Sequence, residues 1–457
     1  MDSTGTLHPL PWREGDDILA AWGHLPWLAC LDSGGDVSPR ARWVIVCRDP
    51  VHVIVQRGGT CWRDGQPVSQ PLPELLRQHL PARTCPDGVP FAGGAVGFIG
   101  YGAGLRVEGI ATRHAADPEE PEAAFGIYDH ACLLDRMTGQ AWLAAPTQLA
   151  PARIAALVAR WEAIGPAVPL PALPRLFFLP DQTGPAYRAT VAHAVERIAA
   201  GEVFQVNVTG RMGVLRPEGL RAVDAYRALR VGSPAPFGAF LSGVDGFALL
   251  GASPERFLSL EPDGTVRTRP IKGTAPRGGN AAEDEALAHR LRHDDKERAE
   301  NLMIVDLMRN DIGRVAALGS MGVSELFGVE RFTHVHHLVS EVTGRLRSDC
   351  DVFDLLAATL PPGSVTGAPK HHAMQIIDEL EASPRGAYCG TVVRIGHDGG
   401  MDSSVIIRTL VMTSAHITAA AGGGITHESD PMREYHEMQL KIAGLLAIFG
   451  DKPANLP

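Results

Sequence analysis

Short apolar runs, broken by glycine, proline and aspartate, characterise the chain from about residue 20 to residue 130. Residues 42–56 (RWVIVCRDPVHVIVQ) alternate apolar and polar positions on both sides of Asp49-Pro50. This alternation predicts two paired strands around a turn. Residues 150–165 instead repeat apolar side chains at helical spacing, which predicts a helix.

A proline-rich stretch follows that helix. Residues 166–180 contain five prolines, and proline is excluded from the interior of a helix. We interpret the stretch as a connector between an N-terminal region over residues 1–175 and a second region over residues 180–450.

The second region alternates longer helical patterns with strand-like ones. Residues 184–208 predict a helix, a glycine stop and a strand, and residues 281–311 predict one long helix that becomes apolar near its end. Two further helices are predicted over 370–383 and 430–450. Residues 403–412 (SSVIIRTLVM) predict a continuous strand.

Composition narrows the class of protein. The chain has 457 residues and a formal net charge of −10 without a basic run, which argues against a nucleic-acid partner. Its seven cysteines form no Cys-x-x-Cys pair, so a reducing compartment is expected. No signal peptide or bilayer-spanning run is apparent, and we therefore expect a cytoplasmic protein without a membrane partner.

Two predicted helices carry the pattern Glu-x-x-Glu. Glu297 and Glu300 share one helix face, in line with apolar side chains over 303–307, and Glu434 and Glu437 have the same spacing. Four carboxylates from two helices would suit Mg²⁺, a hard cation that prefers oxygen ligands. A solvated charged face is the alternative for each pair.

Two glycine-rich loops precede helices, at residues 361–370 and 419–431. Such loops turn backbone N–H groups toward an anion, although plain turn geometry is the commoner explanation. Arg408 lies in the apolar strand pattern, where an arginine is costly unless it meets a carboxylate. Together these features suit a small molecule with two carboxylates.

Lys272 stands between an isoleucine and a glycine in a cation-rich segment. Arg269 and Arg277, with partial desolvation, would favour its uncharged and nucleophilic amine. Gly273 leaves room for a substrate, and Glu255 is the nearest upstream carboxylate that could act as a general acid. The alternative is that Lys272 only pairs with an acid.

Three histidines occur close together, His334, His336 and His337. They would suit a zinc cluster, but alternate side chains of a strand point to opposite faces, so this is a minor hypothesis. A lone structural histidine is the commoner case.

Taken together, these stretches resemble the chorismate-utilising enzymes. The motifs that carry the resemblance are LLGASPERFL, RPIKGTAPRG, ERAENLMIVDLMRNDIGRV, HLVSEVTGRL, PPGSVTGAPK, RGAYCG, IIRT and AGGGITHESDP followed by EY. They cover about 185–447 in the family's order. The resemblance implies an α+β fold in which two large, mainly antiparallel sheets pack as a sandwich with helices on the outer faces.

Two positions separate members of this family. Gln205 stands where the isochorismate and salicylate synthases carry a water-activating lysine, and Lys272 stands where anthranilate synthases have alanine. The N-terminal segments HLPWLACLDSGG, GGAVGFIGYGAG and FGIYDHACLLD are also most similar to the aminodeoxychorismate synthases of the family. The resemblance therefore implies a transferase that acts on chorismate for p-aminobenzoate and folate synthesis. Anthranilate synthase is the alternative, and a non-catalytic chorismate or tryptophan sensor is a third hypothesis.

The resemblance also implies roles for individual residues. Mg²⁺ would be bound directly by Glu300 and Glu437 and mainly through water by Glu297 and Glu434. The substrate would be held by the following residues: Tyr388, Arg408, Gly424, Gly273 and Thr274.

The implied chemistry is covalent. Lys272 would attack ring C2 as the C4 hydroxyl leaves with the help of Glu255, ammonia would then add at C4, and His337 would lie near the leaving hydroxyl. Ammonia would come from a separate glutamine amidotransferase subunit. Tryptophan is a further expected ligand of the N-terminal half, at the LDSGG segment. Departures from the family pattern at Ala275, Pro362 and Val393 bear on the fine geometry of the pocket.

Overall fold

The computed structural model describes residues 5–147, 149–243, 245–331 and 335–450. The strands are β1 (Thr6–Leu10), β2 (Ala29–Asp32), β3 (Trp43–Cys47), β4 (His52–Arg57), β5 (Thr60–Arg63), β6 (Gln66–Val68), β7 (Gly94–Ile99), β8 (Ala123–Tyr128), β9 (Ala131–Asp135), β10 (Gln140–Ala145), β11 (Leu179–Pro180), β12 (Gln205–Leu215), β13 (Phe237–Ser242), β14 (Ala248–Ser253), β15 (Arg256–Leu260), β16 (Thr265–Thr268), β17 (Ile271–Pro276), β18 (Gly322–Arg331), β19 (Val335–Arg345), β20 (Gly367–Ala368), β21 (Thr391–Gly396), β22 (Met401–Val405), β23 (Thr409–Met412) and β24 (His416–Ile425). The helices are α1 (Gly15–Trp22), α2 (Leu72–His79), α3 (Tyr101–Val107), α4 (Pro151–Glu162), α5 (Gly184–Ala199), α6 (Ala222–Gly232), α7 (Ala281–His293), α8 (Asp295–Gly313), α9 (Val352–Thr359), α10 (Lys370–Leu380) and α11 (Pro431–Leu446).

These strands form two large sheets in which neighbouring strands pair antiparallel. The first sheet has the order β1-β10-β9-β3-β2-β13-β14-β23-β24-β12-β11, with β20 also on β12. The second sheet has the order β17-β19-β16-β15-β22-β21-β7-β8-β4-β5-β6, with β18 also on β19.

Alternation along the strands builds a core between the two sheets. Ile45 of β3 in the first sheet and Val96 and Phe98 of β7 in the second belong to one buried cluster, and the Phe98 ring stacks on Phe247. Val46, the next residue of β3, belongs instead to the larger cluster that also includes helical side chains. Because successive strand residues face opposite ways, each sheet packs against the other sheet on one face and against helices on the other. The predicted α+β sandwich is confirmed.

The paired strands predicted around Asp49-Pro50 are wrong in their pairing. Strands β3 and β4 both form, but β3 pairs with β2 and β9 in the first sheet, whereas β4 pairs with β5 and β8 in the second. Asp49 has a φ of +53°, which helps the chain to turn from one sheet to the other. Local alternation indicates strands but does not identify their partners.

The single long helix predicted over 281–311 is two helices. The break falls at Asp294, whose side chain accepts the backbone N–H of Glu297 and so caps the start of α8. Aspartate competes for backbone donors in this way, and the cap offsets the loss of helical hydrogen bonds at the junction. The other predicted helices form as α4, α5, α10 and α11, and the connector contains no helix.

Both regions of the chain contribute strands to both sheets. Strand β2 lies between β3 and β13 in the first sheet, and β7 lies between β8 and β21 in the second. The division of the chain into two regions near residue 180 stays a prediction. No helix in the described ranges is long and apolar enough to cross a bilayer.

Candidate active site

Lys272 lies at an irregularity in β17. Ile271 pairs with Val339 of β19, but the next pair is Thr274 with His337, so β17 carries one extra residue. Gly273 has a φ of +83°, a conformation that glycine adopts without steric cost. The bulge therefore sets the orientation of Lys272 independently of the regular strand alternation.

Glu255 is a buried carboxyl close to this lysine. It follows β14 and is 8% exposed. Burial raises its pKa, while a hydrogen bond from Ser364 and the charge of Lys272 act in the opposite direction. The structure thus brings the predicted nucleophile and the predicted general acid within electrostatic reach of each other.

The first carboxylate pair also lies near Lys272. Glu297 is in the first turn of α8, and burial raises its pKa, followed by repulsion from Glu300. Lys296 and Lys272 partly offset that rise. Lys272 therefore lies within reach of two acids, Glu255 and Glu297.

The second pair begins α11, which Asp430 caps by accepting the backbone N–H groups of Met432 and Arg433. Ser429 donates to Glu434 at 2.7 Å, and Lys441 pairs with Glu437 at 2.6 Å. Burial raises the pKa of Glu434, and repulsion from Glu437 adds to it.

The charge of Lys296 on α8 also acts on Glu434 of α11, so the two carboxylate pairs lie in one electrostatic neighbourhood. Each pair is near a helix N-terminus, where the positive end of the helix dipole favours negative charge. The two helices thus present their acidic pairs toward a shared region.

The donor set fits a hard divalent cation. A cation would offset the repulsion that raises the pKa values of Glu297 and Glu434. Glycines face both carboxylates: a Cβ on Gly273 would come within 2.8 Å of Glu297 Oε2, and one on Gly423 within 2.8 Å of Glu434 Oε2. Across the described ranges, no three histidine, cysteine or acidic side chains are close enough to form a complete metal cage. Mg²⁺ keeps several waters and binds through few carboxylates, so it needs no such cage.

His337 faces the Lys272 bulge. Its Nδ1 lies 3.0 Å from the Thr274 hydroxyl, and burial lowers its pKa. The adjacent His336 is fully buried, and its Nε2 is 2.8 Å from Asp284. His334 lies outside the described residues. The two described histidines therefore make contacts with different partners, and no metal cluster includes them in the part of the chain that the structure covers.

Arg408 does not lie in a continuous strand, contrary to the prediction for 403–412. The run divides into β22 in the second sheet and β23 in the first, and Arg408 occupies the crossing with a φ of +51°. Its Nη1 donates to the carbonyl of Lys441 at 2.9 Å. Burial lowers its pKa, while Tyr388 and Glu437 act in the opposite direction, so Arg408 lies close to both.

Gly424 lies beside a polar side chain that the site prediction did not include. A Cβ on Gly424 would come within 2.3 Å of Gln205 Nε2. Gln205 is 1% exposed, and neither its amide nitrogen nor its amide oxygen has a hydrogen-bond partner. A buried amide normally finds partners, so Gln205 is an exception beside Gly424. The sequence analysis singled out Gln205 only as the position where related synthases carry a lysine.

The arginines expected to act on Lys272 have acidic partners of their own. Arg269 contacts three carboxylates, and Arg277 makes two hydrogen bonds to Asp284. The partners of Arg269 are Glu325, Glu330 and Glu341. Spacing along the chain did not show these acids, and the predicted effect of the two arginines on Lys272 stays a prediction.

A second group that the site prediction did not include lies in the same turn as Tyr388. Arg385 is buried and forms a two-point ion pair with Glu381, and its guanidinium lies 4.7 Å from the centre of the Tyr101 ring. Arg385 also donates to the carbonyls of Val365 and Asn207. It thus joins β12, the loop after α9 and the turn that carries Tyr388.

Comparison with known proteins gives a consistent result. The model of the chorismate binding enzyme family matches residues 30–447. Aminodeoxychorismate synthase component 1 of Klebsiella aerogenes is 39% identical over 96% of this chain and 97% of that protein. The protein of the same name from Salmonella typhimurium (strain LT2) is 40% identical over 96% of this chain and 97% of its own length. The crystal structure of anthranilate synthase component I from Streptococcus pneumoniae TIGR4 superposes with a TM-score of 0.80 at 32% identity, covering 90% of this chain and 93% of that one.

Proposed function

The chain belongs to the chorismate binding enzymes, and we propose that it converts chorismate and ammonia to 4-amino-4-deoxychorismate and water. The observation that carries the proposal is the position of Lys272 within electrostatic reach of both Glu255 and Glu297. This arrangement places a candidate nucleophile near a buried carboxyl group, and displacement of a hydroxyl group requires a nucleophile and a proton donor.

The reaction proceeds in two displacements. The Lys272 amine bonds to ring C2, both conjugated ring double bonds shift, and the C4 hydroxyl leaves as water with a proton from Glu255. Ammonia then bonds to C4, both double bonds shift back, and the C2–nitrogen bond to Lys272 breaks. The covalent intermediate divides one difficult exchange into two easier steps. Burial lowers the pKa of His337. In this mechanism His337 accepts the proton that is released when ammonia adds to C4.

The substrate has two carboxylates, and the site offers a separate anchor for each. Arg408 and Tyr388 hold the enolpyruvyl carboxylate together with the backbone N–H of Gly424, and Gly273 and Thr274 border the same pocket. The ring carboxylate lies at the two glutamate pairs. A guanidinium group and backbone N–H donors bind a carboxylate in a defined orientation, so they would fix how the substrate lies in the pocket.

Mg²⁺ is the cation proposed for the glutamate pairs, with Glu300 and Glu437 as direct ligands and Glu297 and Glu434 acting mainly through water. When bound, it supplies positive charge that anchors the ring carboxylate. The N-terminal dipoles of α8 and α11 already favour the carboxylates that would hold it.

A second component is proposed as the source of ammonia, a glutamine amidotransferase that acts in the same cytoplasmic compartment. The relatives are named component 1, which supports a partner protein. Tryptophan is proposed for a cavity of about 90 Å³ beside the LDSGG segment, lined among others by Leu31, Ser33 and Arg40.

Product analysis tests the proposed function. Wild-type protein with chorismate, ammonium and Mg²⁺ is expected to form aminodeoxychorismate, and a chelator is expected to abolish the reaction. Lys272→Ala should lose at least about a hundredfold in kcat, because the covalent step is removed. Undiminished product from this variant would contradict the covalent step.

Anthranilate synthase is the second candidate, favoured by the structural match to the Streptococcus pneumoniae enzyme. It predicts anthranilate and pyruvate in place of aminodeoxychorismate. Release of those two products by the wild-type protein would replace the proposed function with this one.

A further inference from the structure

An ion pair between the two sheets lies next to the candidate active site and has no role in the function proposed above. Arg40 belongs to the segment between β2 and β3 of the first sheet, and Glu330 belongs to β18 of the second. The two side chains form an ion pair and are only 20% and 24% exposed. We refer to it as the cross-sheet pair.

The register of the second sheet places Glu330 beside His337. His337 of β19 pairs with Glu330 of β18 on one side and with Thr274 of β17 on the other. Side chains of directly opposed antiparallel residues share a face, with Cβ atoms about 4.5–5.5 Å apart. The 3.0 Å contact between the Thr274 hydroxyl and His337 Nδ1 agrees with this arrangement. The three residues therefore form one row across three strands, close in the chain to Lys272.

Helices α7 and α8 pack on the opposite face of β19. Nε2 of His336 is 2.8 Å from Asp284 of α7, and the hydroxyl of Ser340 donates to a side chain of α8. Because successive strand residues face opposite ways, His337 points away from both helices. The acids that these helices contribute near β17 and β19 include Asp284 and Glu297. Glu330 instead lies on the same face as His337.

Both members of the cross-sheet pair act on the imidazole ring of His337. Burial lowers the pKa of His337, whereas a hydrogen bond with the Gly273 backbone and the negative charge of Glu330 raise it. The positive charge of Arg40 lowers it. The two charges thus have opposite effects on the same ring, as expected for an acid and a base that both lie close to it.

A second arginine holds Glu330 in place. Arg269 precedes Lys272 by three residues and is 2.6 Å from Glu330. It also contacts Glu325 at 2.8 Å and Glu341 at 2.6 Å. Charge-assisted hydrogen bonds of this kind are strong, and here they reach Glu330 from the first sheet and from the segment before β17. The carboxylate is therefore fixed beside the row.

We propose that Arg40 and Glu330 are positioning residues for His337, the proposed base of the reaction. By holding one positive and one negative charge beside the ring, the cross-sheet pair sets the pH below which His337 is protonated and no longer accepts the proton from the incoming ammonia. The inference rests on the proposed function, which gives His337 that role. It also makes the base depend on a residue that the N-terminal region supplies.

Two single variants change the charge at His337 in opposite directions. Glu330→Gln removes the negative charge, so the midpoint of the His337 titration should fall by about half a pH unit or more. Arg40→Met removes the positive charge, so the midpoint should rise by a similar amount. The double variant Arg40→Met/Glu330→Gln should return toward the wild-type midpoint, because both charges are then absent.

The titration is followed by NMR on the full chain with labelled histidine, and His337→Gln identifies the resonance. The profile of kcat/KM for chorismate against pH is measured in parallel at a fixed concentration of free ammonia, and its acid limb should move with the midpoint. Glu325→Gln is the matched control, since it removes another partner of Arg269 from the same strand, and it should match wild type. Arg40→Lys keeps the charge and should also match wild type.

Thermal unfolding shows which variants are folded, and Arg40→Met alone tests the direction of the shift if Glu330→Gln does not fold. Unchanged midpoints in the folded variants, or shifts in the same direction, would overturn the inference, because a purely structural ion pair does not move the titration in opposite directions. Opposite midpoints with an unmoved acid limb would also overturn it, since His337 would then not be the base. Absence of aminated product from wild-type protein would instead refute the proposed function, and the positioning role with it, whatever the NMR midpoints show.

Discussion

At the scale of single residues, the site depends on one extra residue in a strand. The bulge at Lys272 and Gly273 lies where the lysine is within electrostatic reach of two acids, Glu255 and Glu297. Gly273 allows this geometry for two reasons: its backbone is in the left-handed region, and it leaves room for the Glu297 carboxylate. Each reason predicts that a methyl group added at residue 273 disturbs the site.

Gly273→Ala should therefore affect both stability and catalysis. An alanine at φ +83° costs about 1–2 kcal/mol of unfolding free energy, and its Cβ would displace Glu297. Gly219 is the matched control, since it has a φ of +77° and no atom lies within 4 Å of the position that a Cβ would take there. Urea unfolding should show the loss from backbone strain for both variants and at least that loss for Gly273→Ala, whereas kcat/KM for chorismate should fall only for Gly273→Ala. Equal activities would contradict the proposed role of the bulge.

Glu255 gives a prediction about pH. Burial raises its pKa, so the proton-donating form persists above the usual value of about 4.3 and is lost as pH rises through the raised pKa. The rate should consequently fall on the alkaline side of the profile. Glu255→Gln should lower kcat by about 10²–10⁴-fold and remove that limb, because the amide cannot donate the proton.

The control for this measurement is Glu261→Gln, which changes an exposed carboxylate in an ion pair with Arg267. Its profile of kcat against pH should match that of wild type. If Glu255→Gln kept the alkaline limb, another group would be the acid.

At the scale of elements, helix α8 must be held so that its acidic first turn faces the site. A buried ion pair between Asp311 near its end and Lys370 at the start of α10 contributes to this. Lys370 also donates to the carbonyl of Thr359 at 2.7 Å, which ties both helices to the end of α9. Three elements thus meet at one ammonium group that is 7% exposed.

Removing that ammonium should be costly. Lys370→Met leaves the Asp311 carboxylate buried without its partner, and we expect a loss of about 3–5 kcal/mol in unfolding free energy, measured by urea denaturation. The double variant Lys370→Met/Asp311→Asn should lose less than the single one, because the uncompensated charge is gone. A single variant as stable as wild type would show that the pair does not hold the helices together.

At the scale of the whole molecule, the two regions of the sequence share both sheets. Strand β7 from the first region has partners on both sides in the second sheet, and one of them, β21, comes from the second region. In the first sheet, β2 from the first region pairs with β13 from the second region. The core between the sheets therefore includes side chains from both regions.

This sharing predicts that residues 180–450 do not fold alone. The fragment would expose the edges of β13 and β21 and the apolar residues that face β2 and β7. We expect it to be insoluble or to lack cooperative unfolding by circular dichroism, and co-expression with residues 1–179 should restore a folded complex. A fragment that unfolds cooperatively by itself would establish region 180–450 as an independent domain.

The sequence alone determined the helices whose pattern is local, and it indicated the candidate residues for the chemistry. The spacing of Glu297 with Glu300 and of Glu434 with Glu437 follows from the helical repeat, and the glycine beside Lys272 was visible in the chain. Only the tertiary structure decided which strands pair, where Arg408 crosses between sheets, and which acids meet Arg269. The orphaned amide of Gln205 likewise became apparent only once its surroundings were known. The reason is physical: helical periodicity is set by hydrogen bonds within a few residues, whereas sheet partners and buried charges depend on contacts between residues far apart in the chain.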